Sequence, residues 1–166
     1  MSGEDDNKSS VSENEHVRTS DYSMTEFTLT VMDVSGIPSR VITGDKMSHY
    51  PDDDSTEMLF PIARVIDQQQ NNWIMSSNKG QTQGKGEEIL LTGNVIITRQ
   101  NNNEIELRTE KLILDTLHNT AYTDLAISMK SPYGDTNSVG LHAALEDKMI
   151  NLHSRVKGHY NAPPSQ

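Results

Sequence analysis

Apolar residues take every second position along much of this chain. Met58, Phe60 and Ile62 do so, as do Ile89 and Leu91, then Ala121, Thr123, Leu125 and Ile127, then Ile150 and Leu152. A period of two places successive side chains on opposite faces of a strand, so each run predicts a strand with one apolar face. A longer recurrence links the runs. Ala63-Arg64-Val65, Gly93-Asn94-Val95, Thr123-Asp124-Leu125 and Ser154-Arg155-Val156 each read small, polar, then branched aliphatic, at intervals of roughly 30 residues. Such a repeat marks one supersecondary unit stacked on copies of itself. The pattern predicts β-hairpins stacked so that they share one continuous apolar face.

The remaining elements follow from the same alternation and from turn residues. Phe27, Leu29 and Val31 share a face, opposite Thr28 and Thr30; Gly36 and Pro38 then turn the chain. A strand over Val41 to His49 precedes the loop Pro51-Asp52-Asp53-Asp54-Ser55. Gln68 to Asn72 reads as a polar connection before Trp73-Ile74-Met75, and Ile89 to Thr98 as a strand interrupted at Gly93. Asn101-Asn102-Asn103 suits a hairpin tip, because Asn tolerates left-handed conformations. Other turns are read at His118-Asn119, at Ser131 to Asp135 and at Glu146-Asp147-Lys148.

One stretch competes with the all-β reading. Leu141, Leu145, Met149, Leu152 and Val156 have helical spacing, and no Pro interrupts them. The repeat overrides that signal. Ser154-Arg155-Val156 falls in phase with the other tripeptides, so strands are predicted here too.

Composition narrows the class. A chain of 166 residues suits one domain, and its net charge of −10 disfavours nucleic acid or an anionic bilayer as a partner held through charge. The absence of cysteine removes disulfides, thiolate zinc sites and thiol nucleophiles. Hydrophobic content of 33% is low and points to a thin structure with much surface per residue. Residues 1–20 are polar and read as a disordered segment without a membrane anchor; 161–166 read as a flexible tail, and 21–160 as the folded domain.

No motif for chemistry emerges. Asp52-Asp53-Asp54 lacks the ligand spacing of an EF-hand and is more simply a solvated loop. None of the histidines, His16, His49, His118, His142, His153 and His159, forms an HExxH pair, so no metal is expected. There is no GxSxG elbow, and the Gly-rich stretch Lys79 to Gly86 is not a phosphate loop, because Glu87 and Glu88 follow it. No enzyme and no cofactor are expected. What remains is the apolar face. It is either the core of a closed sandwich or the wall of a cleft that holds an apolar ligand, and the residues alone leave both open.

The order of four segments then resembles a known family. Met58-Leu59-Phe60-Pro61-Ile62, Trp73-Ile74-Met75-Ser76-Ser77, Leu91-Thr92-Gly93-Asn94-Val95 and Val156-Lys157-Gly158-His159-Tyr160 are similar, over Val41 to Tyr160, to the periplasmic domain of LptC, a component of lipopolysaccharide export. Ser77 departs from the family's usual Ala. The family's transmembrane helix has no counterpart in the polar start of this chain, so a soluble version lacking its anchor is expected, placed natively at the periplasmic face of the inner membrane.

The resemblance implies an open, twisted β-jellyroll of stacked antiparallel strands forming two facing sheets. It implies a non-enzymatic module that receives lipopolysaccharide from the inner-membrane transporter LptB, LptF and LptG and passes it to LptA. Acyl chains would lie against Phe27, Leu29, Met58, Phe60, Trp73 and Leu91, and further along against Val95, Leu107, Leu125, Ile150 and Tyr160. The N-terminal edge, with Phe27 and Val31, would meet LptF; the C-terminal edge, with Met149, Leu152, Val156 and Gly158, would meet LptA. A homodimer is a further possible partner. Arg64, Arg155 and Lys157 are candidate phosphate contacts at the mouth. The alternatives are a soluble LptA-like bridge, a closed β-sandwich interaction or adhesion domain, and a glycan-acting enzyme.

Overall fold

The computed structural model describes residues 18–66, 72–100, 104–144 and 149–160. Its described residues form eleven strands and no helix: β1 (Tyr22–Met32), β2 (Pro38–Tyr50), β3 (Ser55–Leu59), β4 (Ile62–Ile66), β5 (Asn72–Ser76), β6 (Lys79–Gln83), β7 (Glu88–Gln100), β8 (Ile105–Asp115), β9 (Thr120–Ser131), β10 (Gly134–Ala144) and β11 (Met149–Tyr160). Every pairing is antiparallel. The stretch with helical spacing is β10 and β11, and Leu141 pairs with Leu152 across them.

The long strands each serve two leaves. The first part of β2 pairs with β4 and its last part with β3; β7 pairs with β6 through Ile89 to Thr92 and with β5 through Ile96 to Gln100. Between the two halves each strand turns a corner. Register shifts fall there, at Thr92/Val95, at Val139/Leu141 and at Asn137/Val139. Left-handed backbone falls there too, at Glu26 (φ 51°), Phe60 (φ 51°), Asn94 (φ 48°), Gly140 (φ 89°) and Arg155 (φ 48°). A bulge bends a strand and raises its local twist, which is what folds one leaf over the other.

The tripeptide repeat is the corner. Gly93-Asn94, Asp124-Leu125 and Arg155-Val156 are the extra residues of the bulges. The small position has a chemical role there. Thr123 Oγ1 accepts from Leu125 N at 3.2 Å, Ser154 Oγ donates to Val139 O at 3.1 Å, and Gly93 O accepts from Asn78 N at 2.9 Å. Each bond occupies a backbone or hydroxyl group at the place where the ladder is broken. Ala63-Arg64-Val65 is not an equivalent unit: it is regular strand, paired with Ile42 to Arg40. The corner in that layer comes earlier, at Phe60-Pro61 between β3 and β4. Met58, Phe60 and Ile62 therefore do not share a face. Met58 points in, Phe60 and Ile62 are exposed, and Ala63 and Val65 carry the inward phase onward.

The buried side chains of both leaves join in one cluster. Ile42, Val65, Trp73 and Ile97 come from one leaf and Met58, Leu91, Leu114 and Leu141 from the other. Arg18 lies within the segment read as disordered, yet it is held: its guanidinium binds Asp53 at 2.9 and 3.0 Å and Glu57 at 2.8 Å, and stacks 4.2 Å over the Tyr50 ring. The loop of acids is thus exposed but occupied. The tips read at Asn101-Asn102-Asn103 and Glu146-Asp147-Lys148, and the polar connection up to Asn71, lie outside the described residues.

Candidate functional site

The trough between the leaves runs along the stack from β1 to β11 and is filled by the apolar side chains of the cluster. Most of the sequence-expected acyl contacts face into it: Phe27, Met58, Trp73, Leu91, Val95 and Leu107 are buried in the cluster. In the middle of the stack the packing is tight, with Met75, Val95 and Leu112 fully enclosed. Towards both ends it loosens. Leu29 shares the face of its buried partner Ile42 but is 43% exposed, because no strand among the described residues lies outside β1. Ile150 and Leu152, on the opposite edge strand, are only partly covered.

Some expected contacts are not in the trough. Phe60 is exposed because its left-handed backbone throws the ring outward at the corner. Leu125 is 40% exposed because it is an extra residue of the β9 bulge, where strict alternation fails. Of Tyr160, the structure describes only the backbone, paired with Gly134.

The partner-edge residues divide between the two ends. Phe27 and Val31 lie on β1; Met149, Leu152, Val156 and Gly158 lie on β11, with Met149 and Val156 exposed. Among the described residues both strands pair on one side only, so each offers a row of backbone donors and acceptors. The cations separate. Arg64 sits on the exposed face of β4, while Arg155 and Lys157 join Arg108 around an open depression of about 790 Å³ floored by Ala126, Ile127 and Val139. Arg108 is paired with Glu106 at 2.8 Å.

Sequence reasoning missed Arg40. It is 8% exposed and continues the inward phase of Ile42. Its Nη2 donates to Asn119 Oδ1 at 3.2 Å, across a sequence separation of 79 residues. Arg40 is near the outer tip of one leaf and Asn119 is in the β8–β9 turn at the outer tip of the other, so this bond straps the mouth of the trough. Burial holds the Arg40 pKa below its ordinary value, since desolvation disfavours the charged form. A strand arginine normally reads as a surface residue; the signal was its place on the period-two phase with Ile42.

Among the described residues no group of His, Asp and Glu is arranged to hold a metal, and no helix is long and apolar enough to cross a membrane. The arrangement suits binding of hydrocarbon, with polar groups confined to the mouth, the corner and the two edges.

Comparison with known proteins agrees with that chemistry. A family described as lipopolysaccharide-assembly, LptC-related, matches residues 2–161. No curated protein sequence matches the chain. Among solved structures, LptH of Pseudomonas aeruginosa, the LptA-homologous periplasmic component of the lipopolysaccharide transport device, is similar with a TM-score of 0.59. The match covers 74% of this chain and 95% of LptH at 6% sequence identity, a likeness of fold.

Proposed function

The chain belongs to the LptC-related family of lipopolysaccharide-assembly proteins, a non-enzymatic transport component, and from that premise we propose that it is a lipid-conducting module. In this reading it takes lipopolysaccharide from the inner-membrane LptB, LptF and LptG transporter and hands it to LptA, at the periplasmic face of the inner membrane. The observation that carries the reading is the continuous apolar interior between the leaves, filled at the centre and partly exposed at both edge strands. Each buried methylene is worth about 0.8 kcal/mol, so an acyl chain of about a dozen carbons needs roughly 10 kcal/mol of replacement contact away from water. Only a long apolar surface supplies that. Since the centre is packed, acyl chains enter by parting the two leaves, and Met58, Leu91 and Leu107 then line them.

The free edges support strand addition to like-folded partners, which would continue the trough from one protein to the next. β1, with Phe27 and Val31, is assigned to LptF. β11, with Met149, Leu152, Val156 and Gly158, is assigned to LptA. Gly158→Arg would place a long side chain where even a Cβ approaches Thr136 Oγ1 at 3.1 Å, and is expected to weaken capture of LptA about tenfold or more. Unchanged capture removes the β11 assignment.

The carrier reading is tested with a photoreactive residue at Met58 or Ile150 in the presence of lipopolysaccharide. Strong labelling is expected at both, and little at the outward Thr30. Equal labelling at all positions ends the reading. A second reading, a self-assembling bridge like LptA, is favoured by the presence of two free edges on one chain. Light scattering decides it: growth into filaments with concentration supports the bridge, and small species throughout support the transporter-bound module.

A further inference from the structure

Arg40 is a buried cation at the mouth of the apolar interior, without an anion among the described residues. Its cross-strand neighbours are Val31 and Val65, and the next inward residue on its own strand is Ile42. No carboxylate among the described residues pairs with it. One terminal nitrogen donates to the neutral Asn119 amide oxygen at 3.2 Å, longer than the roughly 2.7–2.9 Å of a charge-assisted bond. Nε is also buried and has no partner. A guanidinium taken out of water without a counter-ion is destabilising, and an apolar residue of similar volume would suit Val31 and Val65 better. Folding does not explain this residue; a ligand would.

We propose that Arg40 is an anion-capture site at the mouth of the trough, which takes a phosphate group of a phosphorylated glycolipid in exchange for Asn119. The unpartnered Nε and an adjacent terminal nitrogen form the planar fork that binds two phosphate oxygens at once. Because Asn119 belongs to the facing leaf, the exchange also releases the strap across the mouth. Capture of the headgroup and opening for the acyl chains are then one event. This rests on the carrier reading and adds to it the part of the cargo that is recognised and the group that recognises it.

Arg40→Met and Asn119→Ala in the full chain test it, with thermal melts beside binding of lipopolysaccharide micelles and of the same lipid stripped of phosphate. Arg40→Met is expected to melt no lower than the parent, yet to bind the phosphorylated lipid about tenfold more weakly, with the stripped lipid unaffected. Asn119→Ala, which keeps the cation and removes the strap, is expected to bind the phosphorylated lipid at least as tightly as the parent. If Arg40→Met loses both lipids equally, or neither, the assignment is wrong. If inorganic phosphate raises the melting temperature of the parent as much as the lipid does, but not that of Arg40→Met, the site serves free phosphate and the glycolipid assignment falls. Labelling at Met58 separates the two layers: retained labelling with no phosphate discrimination sinks Arg40 alone, whereas absent labelling in the parent sinks the carrier reading.

Discussion

The ring of Tyr22 lies flat on the ring of His49, with centroids 5.0 Å apart and planes 9° apart. The same imidazole is gripped at both nitrogens: Nδ1 is 2.7 Å from Asp21 Oδ1 and Nε2 is 2.9 Å from Asp54 Oδ1. A ring nitrogen facing a carboxylate donates its proton, and two donating nitrogens make an imidazolium. β1 is thereby fastened to the end of β2 by stacking and charge.

The fastening is pH-dependent. Hydrogen bonds donated to Asp54, then to Asp21, raise the His49 pKa above its ordinary 6.5. A raised histidine contributes fully below its unfolded value and loses its contribution as pH rises through the folded one. Asp21 is held below its ordinary 3.8, chiefly by the bond to His49, so its contribution is present above that value and is lost as pH falls through the folded one. The gap in melting temperature between the parent and His49→Gln should be widest between those ranges and shrink as pH rises past the ordinary histidine value and through the raised one. A gap independent of pH contradicts the imidazolium assignment.

Trp73 separates size from polarity in the core. It is 2% exposed, its Nε1 is buried without a partner, and the Arg99 guanidinium lies 5.6 Å from the ring centre. Trp73→Ala should cost about 3–5 kcal/mol through the cavity it leaves. Trp73→Phe should cost under about 1.5 kcal/mol, because losing an unsatisfied N–H offsets part of the lost volume. Urea unfolding followed by circular dichroism checks both, as the chain has no other tryptophan to report.

Gly140 tests the corner. Its φ is +89°, and a Cβ there would lie 2.7 Å from His153 Nδ1 on β11. Gly140→Ala should cost about 1–3 kcal/mol, and hydrogen exchange should quicken first in β11. Uniform quickening across all strands would mean that the corner does not govern the edge.

Phe60 holds a left-handed backbone with an exposed ring. Phe60→Gly should raise stability by about 0.5–1 kcal/mol, after the entropic cost of glycine in the unfolded chain is subtracted from the strain removed. A drop in stability would mean that the ring packs better than its exposure implies.

The alternation legible in Phe27, Met58, Leu91 and Leu107 carried most of the fold, because inward phase and burial are the same requirement on a two-leaved stack. It failed at Phe60, where a left-handed residue turns the chain between β3 and β4 without shifting the register, and at Leu125, an extra residue of the β9 bulge. A bulge inserts a residue, and a period of two cannot be continued across an insertion whose position is set by backbone φ. The repeat of small-polar-aliphatic tripeptides marked three of those insertions, but was read as strand. Leu29 keeps the inward phase and is exposed all the same, since exposure at an edge depends on the neighbouring strand and not on the residue alone. Arg40 was passed over although it continues the inward phase of Ile42, because the group that receives its hydrogen bond lies on a facing leaf 79 positions away in sequence.

Since the long strands pass unbroken from one leaf to the other, the leaves are bound along one side like the pages of a book. Parting them would be a rotation about that spine. Any such rotation gives its largest displacement at the fore-edge, where one amide oxygen and one guanidinium meet, and its smallest beside Gly93 and Gly140. A modest change in angle there clears a wide gap at the far side while leaving the hydrogen-bonded ladders within each page intact.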